Sequence, residues 1–217
     1  MFKAIKDTLT QEVFFLDVAT HTQYRRTVCA LAWPWLPSPG AVVVLAERRN
    51  KPPVLNEKRH LDLVAECISE TPDELMSQAD RYMAAFKVPQ LVTPVDDERI
   101  ALLDALNDER RERRKQPLRY QHPVEWHGKG EGLLPYYVSL IRARIVNAKT
   151  LHFSQYSQLP AECAVLNSDT MPLTQAMITM PSVCALAWAV EAIDRDEPHS
   201  LDTSALLQGP SDRLGGY

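Results

Sequence analysis

The stretch Pro181-Ser182-Val183-Cys184-Ala185-Leu186-Ala187-Trp188-Ala189-Val190-Glu191-Ala192-Ile193 constrains the fold of this chain more than any other. It reads as a helix that is apolar almost all round for about three turns, so it belongs in a core rather than on a surface. At 217 residues the chain suits one large domain with a full core. The expected organisation is an N-terminal arm or short polar helix over 1–11, a domain over 12–195 and a disordered polar tail over 196–217, the tail containing Pro198, Pro210 and Gly215-Gly216.

Upstream, strand signals come first. Glu12-Val13-Phe14-Phe15-Leu16-Asp17-Val18-Ala19 is a short apolar run with one carboxylate set inside it, and it reads as a buried central strand. Two roles for Asp17 follow from its chemistry: it can cap the turn at Ala19-Thr20-His21, or it can hold a divalent cation, which prefers oxygen ligands. Thr27 to Trp33 reads as a second strand, and Ala41-Val42-Val43-Val44-Leu45-Ala46-Glu47 is the strongest strand signal of the chain because of its β-branched residues. A proline-rich connection joins these two, which predicts an antiparallel hairpin. His60 to Glu70 alternates apolar and polar positions, as a strand with one wet face does.

Helices then alternate with short strands. Thr71-Pro72-Asp73-Glu74 predicts a helix start with Thr71 as N-cap, running to about Phe86. Val88 to Val95 reads as a strand ending at Asp96-Asp97-Glu98, acids that suit the start of a second helix whose apolar positions are Ile100, Leu103 and Leu106. That helix ends in a mixed charge run, Asp108 to Lys115. Leu118 to Trp126 is read as a strand and the glycine-rich stretch from His127 to Gly132 as a flexible loop, followed by a helix over Pro135 to Asn147 with Arg142 and Arg144 near the surface.

Composition narrows the function classes. The formal net charge is −4 with 24% charged residues, so the total does not advertise a nucleic-acid binder. No apolar run approaches the roughly 20 residues that a membrane-spanning helix needs. The four cysteines, Cys29, Cys67, Cys163 and Cys184, are widely spaced among apolar neighbours and read as buried thiols rather than a disulfide frame or zinc site.

Strands first, an antiparallel hairpin among them, then strands alternating with helices, predict an α/β protein with a ribonuclease H-like mixed sheet flanked by helices. With Phe14-Phe15-Leu16-Asp17-Val18-Ala19 as the acidic strand, Leu91 to Val95 with acids at its end, the segment Leu140 to Ile145 leading to Leu151-His152-Phe153, and the closing helix Val183 to Ile193, the chain resembles the nuclease domain of tailed-phage large terminases over about residues 12–195. The resemblance implies a protein of the bacterial host cytoplasm acting on double-stranded DNA beside other phage packaging proteins. It implies a metal-dependent endonuclease using Mg2+ or Mn2+, with Asp17, Asp96 and Asp97 as catalytic acids and Asp17 and Asp96 as metal ligands. Phosphate contacts would come from Arg25, Arg26, Arg142, Arg144 and Lys129, with Arg48 and Arg49 nearby, and binding would fall steeply with salt.

The departures from that pattern are as specific. The third acid should stand at the start of the last helix, where the chain has Thr179-Met180-Pro181-Ser182; Asp169 lies upstream, Glu191 and Asp194 downstream. There is no Gly-x-x-x-x-Gly-Lys-Ser/Thr loop for the ATPase that precedes such a nuclease, which makes this chain a separate protein or a fragment. The alternative reading is a catalytically inactive ribonuclease H-like protein-interaction module, using an exposed aromatic patch at Trp33, Trp35 and Trp126.

Overall fold

The computed structural model describes residues 1–35, 37–50, 58–123, 133–147, 149–155, 157–165 and 173–195. Expectations for the stretch from Glu125 to Gly132, for Asp169 and for the tail from 196 onward fall outside these residues.

Five strands precede the first helix: β1 Phe2–Lys6, β2 Val13–Asp17, β3 Gln23–Ala32, β4 Gly40–Arg48 and β5 Leu61–Ser69. Each pairs antiparallel with the next. The β-branched run forms β4 as expected, and every residue from Ala41 to Ala46 is fully buried because both faces of the strand are covered. At about 1.5–3 kcal/mol for each large apolar side chain buried, this strand is a main contributor to the core.

The N-terminal segment is a strand, not a polar arm. Phe2 stacks on Tyr24 with ring centroids 4.9 Å apart and meets the edge of Phe86, so an aromatic contact made across the sheet decides its conformation.

Helix α1 (Pro72–Phe86) follows, with Pro72 in its first turn and Asp73 and Glu74 beside the positive end of its dipole. Thr71 stands at the N-cap position without a side-chain capping bond. Gly40 lets α1 approach: a Cβ there would come within 2.6 Å of Leu75 and 2.5 Å of the Ala32 carbonyl. Then come β6 (Leu91–Val92), α2 (Asp97–Glu112) and β7 (Tyr120–Gln121), both strands much shorter than their apolar runs. Helix α3 (Leu133–Arg142) widens into a π turn at Ala143–Asn147, and β8 (Leu151–His152), α4 (Leu159–Val165), α5 (Leu173–Thr179) and α6 (Pro181–Arg195) complete the described chain.

In the sheet, β6 pairs with β3 in parallel, and β7 pairs with β6 in parallel. The order β5-β4-β3-β6-β7, three antiparallel strands followed by two parallel ones with α1 between the groups, is that of a ribonuclease H-like fold. The central strand is therefore β3, and the β1–β2 hairpin is an addition along its first residues. Core residues lie on both faces: α3 and α6 cover Ala30, Ala32, Val43 and Leu45, while α1 and α2 cover Cys29, Leu31, Val42 and Val44. Helix α6 is buried from Pro181 to Ile193, as its all-round apolar pattern requires. The cysteines are free thiols, Cys29 and Cys184 fully within the core.

Candidate functional site

In an open α/β sheet, ligands favour the crevice beyond the carboxyl ends of parallel strands. Here those ends belong to β3 and β6. The register Ala30 to Val92 continues to Ala32 beside Pro94. Helix α6 begins at the same end, because its last turn lies at the opposite one, where Arg26 near the start of β3 donates to the Ile193 carbonyl.

Carboxylates brought to this place by the two strands and the helix would form a metal site. The side chains present are Ala32, Trp33, Thr93, Pro94, Pro181 and Ser182, all buried. They close on each other: the Trp33 indole N–H donates to the Pro94 carbonyl at 2.8 Å, and the Thr93 hydroxyl donates to the Leu31 carbonyl at 2.9 Å. This end is apolar and satisfied from within.

The sequence-predicted acids lie elsewhere. Asp17 ends β2, a strand only partly buried and outside the centre of the sheet. Its carboxylate accepts the Ala19 N–H at 3.1 Å and the Thr20 hydroxyl at 2.8 Å, the local turn bonding of an Asx residue. Asp96 is the N-cap of α2, accepts the Arg99 N–H at 3.0 Å and pairs with the Arg99 guanidinium; Asp97 stands exposed in the first turn beside it.

Leu16 pairs with Gln23, so Asp17 is at the start of β3, whereas Asp96 lies beyond its carboxyl end. With ten residues at about 3.3 Å each, β3 holds the two acids about 30 Å apart. One pair of cations cannot be held by both, and the donor set does not fit the two-metal centre that the resemblance implies. Among the described residues, no group of three His, Cys, Asp or Glu side chains could hold a metal ion. Glu191 is buried within α6, and Asp194 is paired with Arg144 and Lys58.

Most of the expected phosphate-facing cations are engaged inside the molecule. Arg144 is 0% exposed, not near the surface, and bonds Asp194 and the Arg59 carbonyl. Arg26 reaches the fully buried Glu47 at 2.8 Å, and Arg25 lies 3.9 Å from the same carboxylate. Arg48 forms a two-pronged pair with Asp62 at 2.9 Å, and Arg49 pairs with Asp7 while lying over the Phe14 ring. Arg142 is exposed on α3, and Lys129 lies outside the described residues. In the expected aromatic patch, Trp33 is core and Trp35 is 40% exposed, with Arg99 near both rings; Trp126 is also outside the described residues.

Sequence reasoning missed two polar groupings. One is the Arg25–Arg26–Glu47 cluster at the first residues of β3, signalled by a carboxylate closing an apolar strand, the same sign that drew attention to Asp17. The other is the stacked pair His60 and His152, whose ring nitrogens are 2.6 Å apart where β8 joins β5. Burial, then the Arg48 charge, holds His152 below the usual histidine range against the opposing pull of Asp62. No local pattern joins residues 92 positions apart.

No family model matches the sequence, and no match was found among curated proteins. Among solved structures the chain is similar to the g2p large terminase nuclease domain of bacteriophage SPP1, which was crystallised with bound Mn. The identity is 11%, the match covers 78% of this chain and 88% of that one, and the TM-score is 0.46. A likeness at this level assigns no residue a role.

Proposed function

We propose that this chain is a ribonuclease H-like domain without two-metal nuclease chemistry, serving as a protein-interaction module. The observation that carries this reading is the closed apolar end of β3, β6 and α6, where Ala32, Pro94 and Pro181-Ser182 stand in place of carboxylates. A side chain that cannot bind a divalent cation cannot activate water through one.

A sheet edge supports the interaction role. Strand β5 pairs with β8 only at Leu61 and Asp62, so from Leu63 to Ser69 it has no strand on its outer side among the described residues. Ile68 is 47% exposed there. Such an edge can accept an added strand from a partner, whose backbone supplies the hydrogen bonds.

The competing reading is a metal-dependent endonuclease acting on DNA during phage genome packaging. Supercoiled plasmid incubated with the protein and Mg2+ or Mn2+ separates the two. The expected result is intact plasmid with the parent protein and with Asp17→Ala or Asp96→Ala. Cleavage by the parent that disappears in either variant would overturn the interaction reading.

A further inference from the structure

Strand β3 has a gap along its β2–β6 edge. β2 pairs with it at Gln23 and Tyr24 and β6 pairs with it at Cys29 and Ala30, leaving residues 25–28 without a strand on that side among the described residues. A cleft of about 560 Å3 occupies the gap, within the range of small-molecule sites. It lies at the end of β3 opposite the closed apolar crevice.

Cations reach this cleft from two walls. Tyr24 pairs with Arg48 and Arg26 with Glu47, so Arg25 is the extra residue of a β-bulge, a device that re-aims a side chain out of the strand's alternation. Across the gap, Lys87 closes α1 in the left-handed conformation at φ 59°, where glycine is usual and an L side chain is disfavoured.

The charge balance is positive. Arg26 is engaged with Glu47 and the Ile193 carbonyl, while Arg25 stands at the outer limit of an ion pair with that carboxylate. No acidic side chain is among the described lining residues. The described lining thus carries three cations, Arg25, Arg26 and Lys87, of which two share the Glu47 carboxylate. The buried Thr27 hydroxyl on the wall has no hydrogen-bond partner among the described residues, and Gln90 and Gln121 add amides that can donate and accept. Phe15 offers an apolar flank.

We propose that this cleft binds the phosphate monoester of a small molecule. Such a group carries about −1.5 to −2 charge at pH 7, matching the excess of Arg25 and Lys87, and its oxygens can accept from a guanidinium fork and an ammonium. Phe15 and the two amides then meet the organic part.

Calorimetric titration of the full chain with ribose 5-phosphate, inorganic phosphate and ribose tests this. Ribose 5-phosphate binds one per chain, inorganic phosphate binds more weakly and ribose does not bind. Arg25→Gln and Lys87→Gly each weaken binding about tenfold or more, the loss expected for a charge-assisted contact. Lys87→Gly also relieves the left-handed backbone and melts no lower than the parent, so it decides the matter even if Arg25→Gln folds poorly. Equal behaviour of ribose and ribose 5-phosphate, or unchanged affinity in Lys87→Gly, overturns the proposal. A 5′-phosphorylated single-stranded oligonucleotide whose affinity exceeds that of ribose 5-phosphate and rises with length overturns it too, because the phosphate would then belong to a polymer.

Discussion

The two ends of β3 are built from opposite materials. At its carboxyl end, Ala32, Trp33, Thr93 and Pro94 form a closed wall whose polar atoms bond to neighbouring carbonyls. At its start, Arg25 and Arg26 line an open cleft beside Glu47, and Arg144 is sealed nearby against Asp194 of the last turn of α6. The fold's usual place for chemistry is thus the quiet end, and the charged end is where polar groups remain without full satisfaction. Position in a fold confers no chemistry by itself; the side chains at that position decide it.

The largest test of this contrast is Asp194→Ala. It leaves the wholly buried Arg144 without its carboxylate, and breaking such a pair costs about 3–5 kcal/mol, read as a lower urea midpoint with an unchanged slope. A loss below that of any change at the apolar end would break the comparison. Trp33→Phe comes next: the Pro94 carbonyl loses its nearer donor in a buried setting and keeps only the Thr93 hydroxyl at 3.4 Å, for about 1–3 kcal/mol by the same measurement.

Asp96→Ala sharpens the assignment of that acid to helix capping. Losing the N-cap bond to Arg99 costs about 1 kcal/mol, while plasmid stays intact with either form. Asp17→Ala removes two local bonds in an exposed turn and should lower stability by about 0.5–1 kcal/mol. A large loss in Asp17→Ala would show that the β2–β3 turn carries more of the fold than its exposure implies.

The smallest effect is a pH dependence at the β5–β8 junction. His152 takes up a proton less readily in the folded chain than in the unfolded one, because of burial and Arg48. The unfolded state therefore binds the extra proton first as pH falls from about 6.5, and stability present above that pH is lost below it. His152→Gln should flatten that part of the profile in denaturation measured from pH 8 to pH 5.

Much of the fold was legible because it rests on local patterns. The β-branched residues of β4, the alternation of β5, Pro72 with its two acids, and the all-round apolar α6 each state their own conformation. The antiparallel pairing of β3 and β4 also followed from their adjacency in the chain. Phe2 to Lys6 was not legible, since its strand depends on Tyr24 and Phe86, residues far along the chain. The two-residue lengths of β6 and β7 were equally hidden: apolar runs beyond them are core without being ladder.

The candidate site was the least legible part, and one strand explains why. Counting from the N-terminus makes the run with Asp17 the first strand of the sheet, but parallel pairing with β6 belongs to β3. That displaces the expected acid by a whole strand and by about 30 Å. The capping chemistry of Asp17 and Asp96, by contrast, was readable from their neighbours, because turns and N-caps are made within three residues.

The amino-acid sequence by itself determined that β4 and β5 are strands and α1 a helix, that α6 is core, and that no carboxylate stands at the start of that helix. These are properties of periodicity and residue type within a few turns. Tertiary structure alone decided which strand is central, which cations are consumed in buried pairs, and that Arg25 and Lys87 face one cleft. Each of those depends on contacts between distant residues, set by which apolar faces can be buried together, and no local pattern encodes that choice.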